Sequence, residues 1–449
     1  MATRLLLLAT LALTLFPAPA RAIGTSSRLE QAYAITATLD VATGRLAATE
    51  RITVTNRSAR TLDHLDLSVL PRAFGYVTVD EPVTIDGTAT DTEWTTETNL
   101  RLQIAGGLPP DGSIEVELPF VLMVGNSGGA FTARTSRENG VISFGQWFPI
   151  LSREHTSYGV GDAQVTTTAE SIVLDLTTTA PMPRNAVACP GLVEAPRDSG
   201  THWRCEVERV RDFSFVVNPR FRLLTRSVEG IDMRVYTETV DGTVVADKAT
   251  FALTRMGEAF GAYPWSDLVL AEVGSGGGFS MEYPRAIHLT RGKVTDTYVI
   301  YHEVAHQWFY AQLGNDQMRE PWLDEGFANF STRWLMGTDE NACSTRPVDS
   351  QIYAWPAGPT TGGDWLSCDG YFHTVFYRGT EFINALRDAM GDAAFFAAMR
   401  DFIDEYRYEV GSIGALRRHL DASTGVDLAP LYAAYLGVEP RGARIVART

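Results

Sequence analysis

The chain has 449 residues, of which 45% are hydrophobic and 20% charged, an ordinary globular balance at a length that accommodates two domains. Its formal net charge of −16 speaks against a nucleic-acid partner, because a surface of that sign repels phosphate. No segment is apolar for long enough to span a bilayer once the amino end is set aside.

That amino end, residues 1–22, places Arg4 before an apolar run and closes on Ala20-Arg21-Ala22. This is the pattern of a cleavable signal peptide, so the expected mature chain is secreted or periplasmic and has no membrane span. Residues 23–225 are expected to form a β-sheet domain. In AYAITATLDVATGRLAATERITVTN two alternating runs flank Ala42-Thr43-Gly44 and predict a hairpin, and IEVELPFVLMV, AESIVLDLTT and DFSFVVNPRF continue the period of two. The 4 cysteines fall into two sequence-local pairs. Of the three possible pairings, proximity favours Cys189 with Cys205 and Cys343 with Cys368, and the C-x₂₋₄-C spacing of a Cys₄ zinc site is missing.

The period changes after Arg226, and residues 226–440 are expected to form a mostly helical α+β domain, followed by a basic tail at 441–449. ADKATFALTRMGEAFGAY has helical spacing, LVLAEV reads as a short strand, and TDTYVIYHEVAHQWFYAQLG predicts one long helix ending at Gly314. Further helices are expected over 323–336, 370–390, 393–406 and 412–422, with a Gly/Pro/Thr-rich loop inside the second disulfide.

The long helix carries His302-Glu303-Val304-Ala305-His306. Histidines at i and i+4 project from one face, where both imidazoles can hold one metal ion while Glu303 stays free for a water. Eighteen residues separate His306 from Glu325, enough for the chain to turn and return a third ligand on a second helix.

H-E-x-x-H-x₁₈-E, with Gln307-Trp308-Phe309 after the second histidine and Trp322-Leu323-Asp324-Glu325-Gly326-Phe327-Ala328 around the third ligand, resembles the gluzincin peptidases of the aminopeptidase N and leukotriene hydrolase family. The resemblance implies an all-β saddle-like domain followed by a thermolysin-like zinc peptidase domain. It implies one Zn2+ per chain on His302, His306 and Glu325, with Glu303 as general base. Glu320 and Asp324 are candidate acceptors for the ligand histidines. The family motif G-A-M-E-N has its counterpart in Gly278-Phe279-Ser280-Met281-Glu282-Tyr283, where Met281 and Glu282 match. The resemblance therefore implies that Gly278, Met281 and Glu282 contact substrate, Glu282 pairing with the free amino group of a peptide. Trp147-Phe148-Pro149 resembles a family segment of the first domain.

The family tyrosine of Y-x-[KR]-G, which stabilises the oxyanion, has a different counterpart here. In Phe376-Tyr377-Arg378-Gly379 the expected position is Phe376, with Tyr377 one residue off and Tyr371 or Tyr283 as possible substitutes. The leading expectation is an aminopeptidase acting on peptides with a free N-terminus. A zinc endopeptidase of the same fold and a catalytically weak, zinc-containing peptide-binding protein are the alternatives.

Overall fold

A computed structural model describes residues 29–80, 82–126, 134–152, 167–275, 279–317, 320–348 and 366–437. The signal-peptide segment, the tail and Gly278 lie outside the described residues.

The strand-rich part is built on a nine-stranded sheet. The expected hairpin is its centre: Leu29–Asp40 pairs antiparallel with Arg45–Asn56, and the inward residues of both alternate with outward ones as the period of two requires. Two four-stranded sheets complete this part. Trp147 sits at the centre of an aromatic cluster with Phe144, Phe148 and Phe215, and its indole N–H donates to the Phe213 carbonyl at 3.1 Å. Both expected disulfides are formed, Cys189 with Cys205 and Cys343 with Cys368.

The helical part begins with a four-stranded sheet running Arg222–Val228, Ile231–Thr237, Asp267–Val273, Ala286–Thr290, of which the last three are parallel neighbours. Every residue of Asp267–Val273 is buried, as expected of a central strand covered on both faces. Seven helices are described: α1 (Gly242–Phe260), α2 (Thr297–Ala305), α3 (Glu325–Met336), α4 (Arg378–Met390), α5 (Asp392–Glu405), α6 (Ile413–Ser423) and α7 (Ala429–Leu436).

The metal-motif helix is much shorter than its sequence pattern predicts. α2 starts where the Asp296 carboxylate caps the N–H groups of Tyr298 and Val299, and it stops at Ala305 with His306 as its C-cap. Beyond it the chain winds through tight turns: Ala311 N–H returns to the His306 carbonyl at 2.9 Å, and Tyr310 adopts φ 131°. The apolar residues of 308–313 have helical spacing because they fill the core from these turns, so periodicity alone could not mark the stop.

α3 and α4 touch through glycines. A Cβ on Gly379 would lie 3.0 Å from the Gly326 Cα, so the two backbones meet directly behind Glu325. Before α4 the chain forms a π-helical turn over Phe372–Tyr377, a feature that recurs at functional sites.

Candidate metal centre

α2 and the start of α3 bring His302, His306 and Glu325 together, with one ligand atom from each within 4.8 Å of the others. The two Nε2 atoms are 3.1 Å apart, and the Glu325 Oε2 lies 3.1 Å from His302 Nε2 and 3.3 Å from His306 Nε2. Two nitrogens bound to one tetrahedral zinc stand about 3.3 Å apart, so the trio has the spacing of a zinc ligand set. His306 Nδ1 is 3.0 Å from the Phe309 carbonyl oxygen, which can only accept. Nδ1 therefore carries the proton, and the Nε2 lone pair faces the other ligands.

The charge of the pocket also fits a cation. Burial pushes Glu303 well above the usual carboxylate range, and the nearby Glu282 adds to the effect. Burial would lower His306, but hydrogen bonding and attraction from Glu325, Glu282 and Glu303 outweigh it and raise it. Burial opposes ionisation of Glu325 too, yet the two imidazoles hold it down at about 2. Without an ion the buried acids are balanced by protons on Glu303 and His306, which a bound divalent ion would displace.

The supporting contacts differ from two expectations. Asp324 does not accept from a ligand histidine; its Oδ1 caps α3 at the Glu325 N–H (2.7 Å), while Oδ2 accepts from Gln317 at 2.5 Å. Glu320 accepts from the Ile413 N–H at 3.2 Å, and for His306 a backbone carbonyl provides the support instead.

Glu282 is 6% exposed and lies within electrostatic reach of Glu303 and His306. Its segment is tied to the metal helix by Gln307, which the sequence reading noted only as part of the resemblance. Gln307 donates to the carbonyls of Glu282 (3.3 Å) and Tyr283 (3.2 Å) and accepts from Arg285 N–H (2.9 Å). One side chain next to His306 thus sets the distance between Glu282 and the ligands. Met281 exchanges both backbone hydrogen bonds with His288 at 2.9 Å. Tyr283 is fully buried, edge-on to His288, where a Cβ on Gly145 would overlap it.

The π-helical turn resolves the register at Phe376-Tyr377. Phe376 stacks on the His302 ring with centroids 5.6 Å apart and planes at 12°, as does Tyr298 at 5.7 Å and 12°. Tyr377 stands edge-on to His373 at 4.7 Å. Asn329, one turn beyond Glu325, joins these groups by accepting from the Tyr298 hydroxyl (2.6 Å) and donating to the Phe376 carbonyl (3.3 Å) and Thr380 hydroxyl (2.8 Å).

Residues 284–358 match the model of the peptidase family M1 domain, a stretch that includes all three ligands. The candidate metal centre thus lies in the stretch of the chain that is similar to an M1 peptidase domain. An M1 zinc metallopeptidase from Deinococcus radiodurans has a similar fold, with TM-score 0.65 and 18% identity over 94% of this chain and 97% of that one. A mutant of it bound to a Tyr-Ser-Ala substrate gives TM-score 0.66 and 17% identity, covering 94% and 96%. Among curated sequences, the membrane alanyl aminopeptidase of Heliothis virescens is 28% identical over 124 residues, 25% of this chain and 12% of that protein. That of Manduca sexta is 26% identical over 153 residues, 31% and 15% respectively. The matched stretches are thus a small part of those longer proteins. No helix among the described residues is long and apolar enough to cross a membrane.

Proposed function

We propose that this protein is an exported zinc aminopeptidase that removes N-terminal residues from peptides. The observation that carries the reading is the buried Glu282 carboxylate beside Glu303 and the ligand histidines. A fixed anion there pairs with the ammonium group of a peptide and sets the scissile bond one residue further in. His302, His306 and Glu325 would hold the zinc, which supplies Lewis acidity toward the scissile carbonyl and the attacking water. Glu303 takes a proton from that water as its oxygen bonds to the carbonyl carbon, and returns it to the departing amine nitrogen as the C–N bond breaks. Met281 lies on the same strand edge as Glu282 and would flank the substrate, as would Gly278. The two disulfides and the signal-like residues 1–22 support export to an oxidising compartment.

Turnover of free and N-acetylated aminoacyl fluorogenic amides tests the reading. Glu282→Gln should lower kcat/KM on free substrates by about 10- to 100-fold, the loss expected for one charge-assisted contact, and leave acetylated ones equally poor. Efficient cleavage of acetylated peptides, unaffected by Glu282→Gln, would point to an endopeptidase instead. Phe376 favours a second reading. The side chain stacked on His302 has no hydroxyl where the family has its oxyanion donor, and losing such a donor costs about a hundredfold or more in rate. A zinc-loaded protein that binds peptides but turns none over would be the weak, peptide-binding form.

A further inference from the structure

The turns that carry the carbonyl behind His306 are met by a side chain from the strand-rich part of the molecule. Arg211 follows the strand Ser199–Val210, is 1% exposed, and extends its guanidinium into the turns after α2. There Nη2 donates to the Glu409 carbonyl at 3.3 Å, and Cζ lies 5.9 Å from the centre of the Tyr310 ring. It also occupies the bare face of Gly314, where a Cβ would overlap it. The Glu409 carbonyl accepts from Gly314 N–H as well, at 3.0 Å, and Tyr310 N–H donates to Leu313 at 2.9 Å. Arg211, the 310–314 turn and residue 409 are therefore one buried cluster.

Tyr310 is the strained member. Its φ of 131° is a conformation that side chains other than glycine rarely adopt, at a cost on the order of 1–3 kcal/mol, and it persists only where the surroundings enforce it. Its hydroxyl has no hydrogen-bond partner among the described residues, so packing, including the guanidinium over the ring, holds it. The peptide between Phe309 and Tyr310 carries the carbonyl that His306 Nδ1 meets at 3.0 Å. Relaxation of Tyr310 would rotate that peptide and release the tautomer that presents the Nε2 lone pair.

We propose that Arg211 is a positioning residue for the metal ligand His306, acting through the Phe309–Tyr310 peptide, so that the strand-rich domain is part of the metal site. The inference rests on the metal reading of His302, His306 and Glu325 and adds to it a dependence on the other domain. Zinc affinity of the full-length chain, measured by chelator competition, and the absorption bands of the cobalt-substituted protein test it. Arg211→Met should weaken zinc about 10- to 100-fold, the range for loss of support behind a ligand histidine, and shift the cobalt bands. Arg211→Lys, which keeps a cation near the ring, should recover part of the loss. Gly314→Ala, which displaces the guanidinium from the opposite side, should reproduce it, and serves alone if Arg211→Met does not fold. Val54→Ala, a cavity in the strand-rich core far in sequence from the turn, should leave affinity unchanged. Wild-type affinity in Arg211→Met and Gly314→Ala would overturn the proposal, as would an equal loss in Val54→Ala. A wild-type chain that binds no zinc would overturn the metal reading itself.

Discussion

Glu50 offers a test of the structure that is independent of catalysis. It lies on the inward face of Arg45–Asn56, is fully buried, and neither carboxylate oxygen has a hydrogen-bond partner among the described residues. Burial raises its pKa well above the ordinary 4.5. The folded chain therefore keeps a proton that the unfolded chain releases, and this group's contribution to stability falls as pH rises above 4.5. Each pH unit over which the folded carboxyl stays protonated costs about 1.4 kcal/mol, so the penalty grows as pH rises above the ordinary carboxyl range. An unpaired neutral carboxyl costs a further ~1–3 kcal/mol at any pH. Glu50→Met, with a side chain of similar length and no polar group, removes both. The urea midpoint of the full-length chain at fixed zinc should rise modestly at pH 4.5, and the gain over wild type should be larger at higher pH. Both proteins share the same metal site, so pH-dependent loss of metal cancels in the difference. A gain that is constant with pH, or a variant less stable than wild type, would show that Glu50 is ionised and compensated in the fold.

His288 should behave with the opposite sign. Burial lowers its pKa to about 3 from an ordinary 6.5, so stability is lost as pH falls through that window at about 1.4 kcal/mol per unit. His288→Phe should move the midpoint of acid unfolding downward, and an unchanged midpoint would contradict the burial argument. Glu303→Gln should reduce peptide turnover by about 10²- to 10⁴-fold while the chain still carries one zinc; turnover that survives the change would remove Glu303 from the mechanism. Gly379→Ala should destabilise the chain by about 1–3 kcal/mol in thermal unfolding, because its Cβ would sit 3.0 Å from the Gly326 Cα and neither backbone can withdraw. A neutral result would mean that α3 and α4 are free to separate.

Local pattern alone determined a good part of this protein. The period of two in residues 29–56 is the hairpin at the centre of the large sheet, because a half-buried strand must alternate its faces. Two histidines one helical turn apart with Glu325 beyond them converge as their spacing requires, and each disulfide joins its nearest partner. Tertiary structure decided where α2 ends, since residues 308–313 are apolar for the core whether helical or not and only the Phe309–Tyr310 turn sets the boundary. Counting back from Gly379 already puts Phe376 at the expected position, and the structure adds that its ring stacks on His302 from a π-helical turn. The support of the site was invisible in sequence for the same kind of reason. A backbone carbonyl behind His306, Gln307 spanning to Glu282, and Arg211 arriving from a strand far earlier in the chain are contacts between distant segments, and no local spacing encodes them.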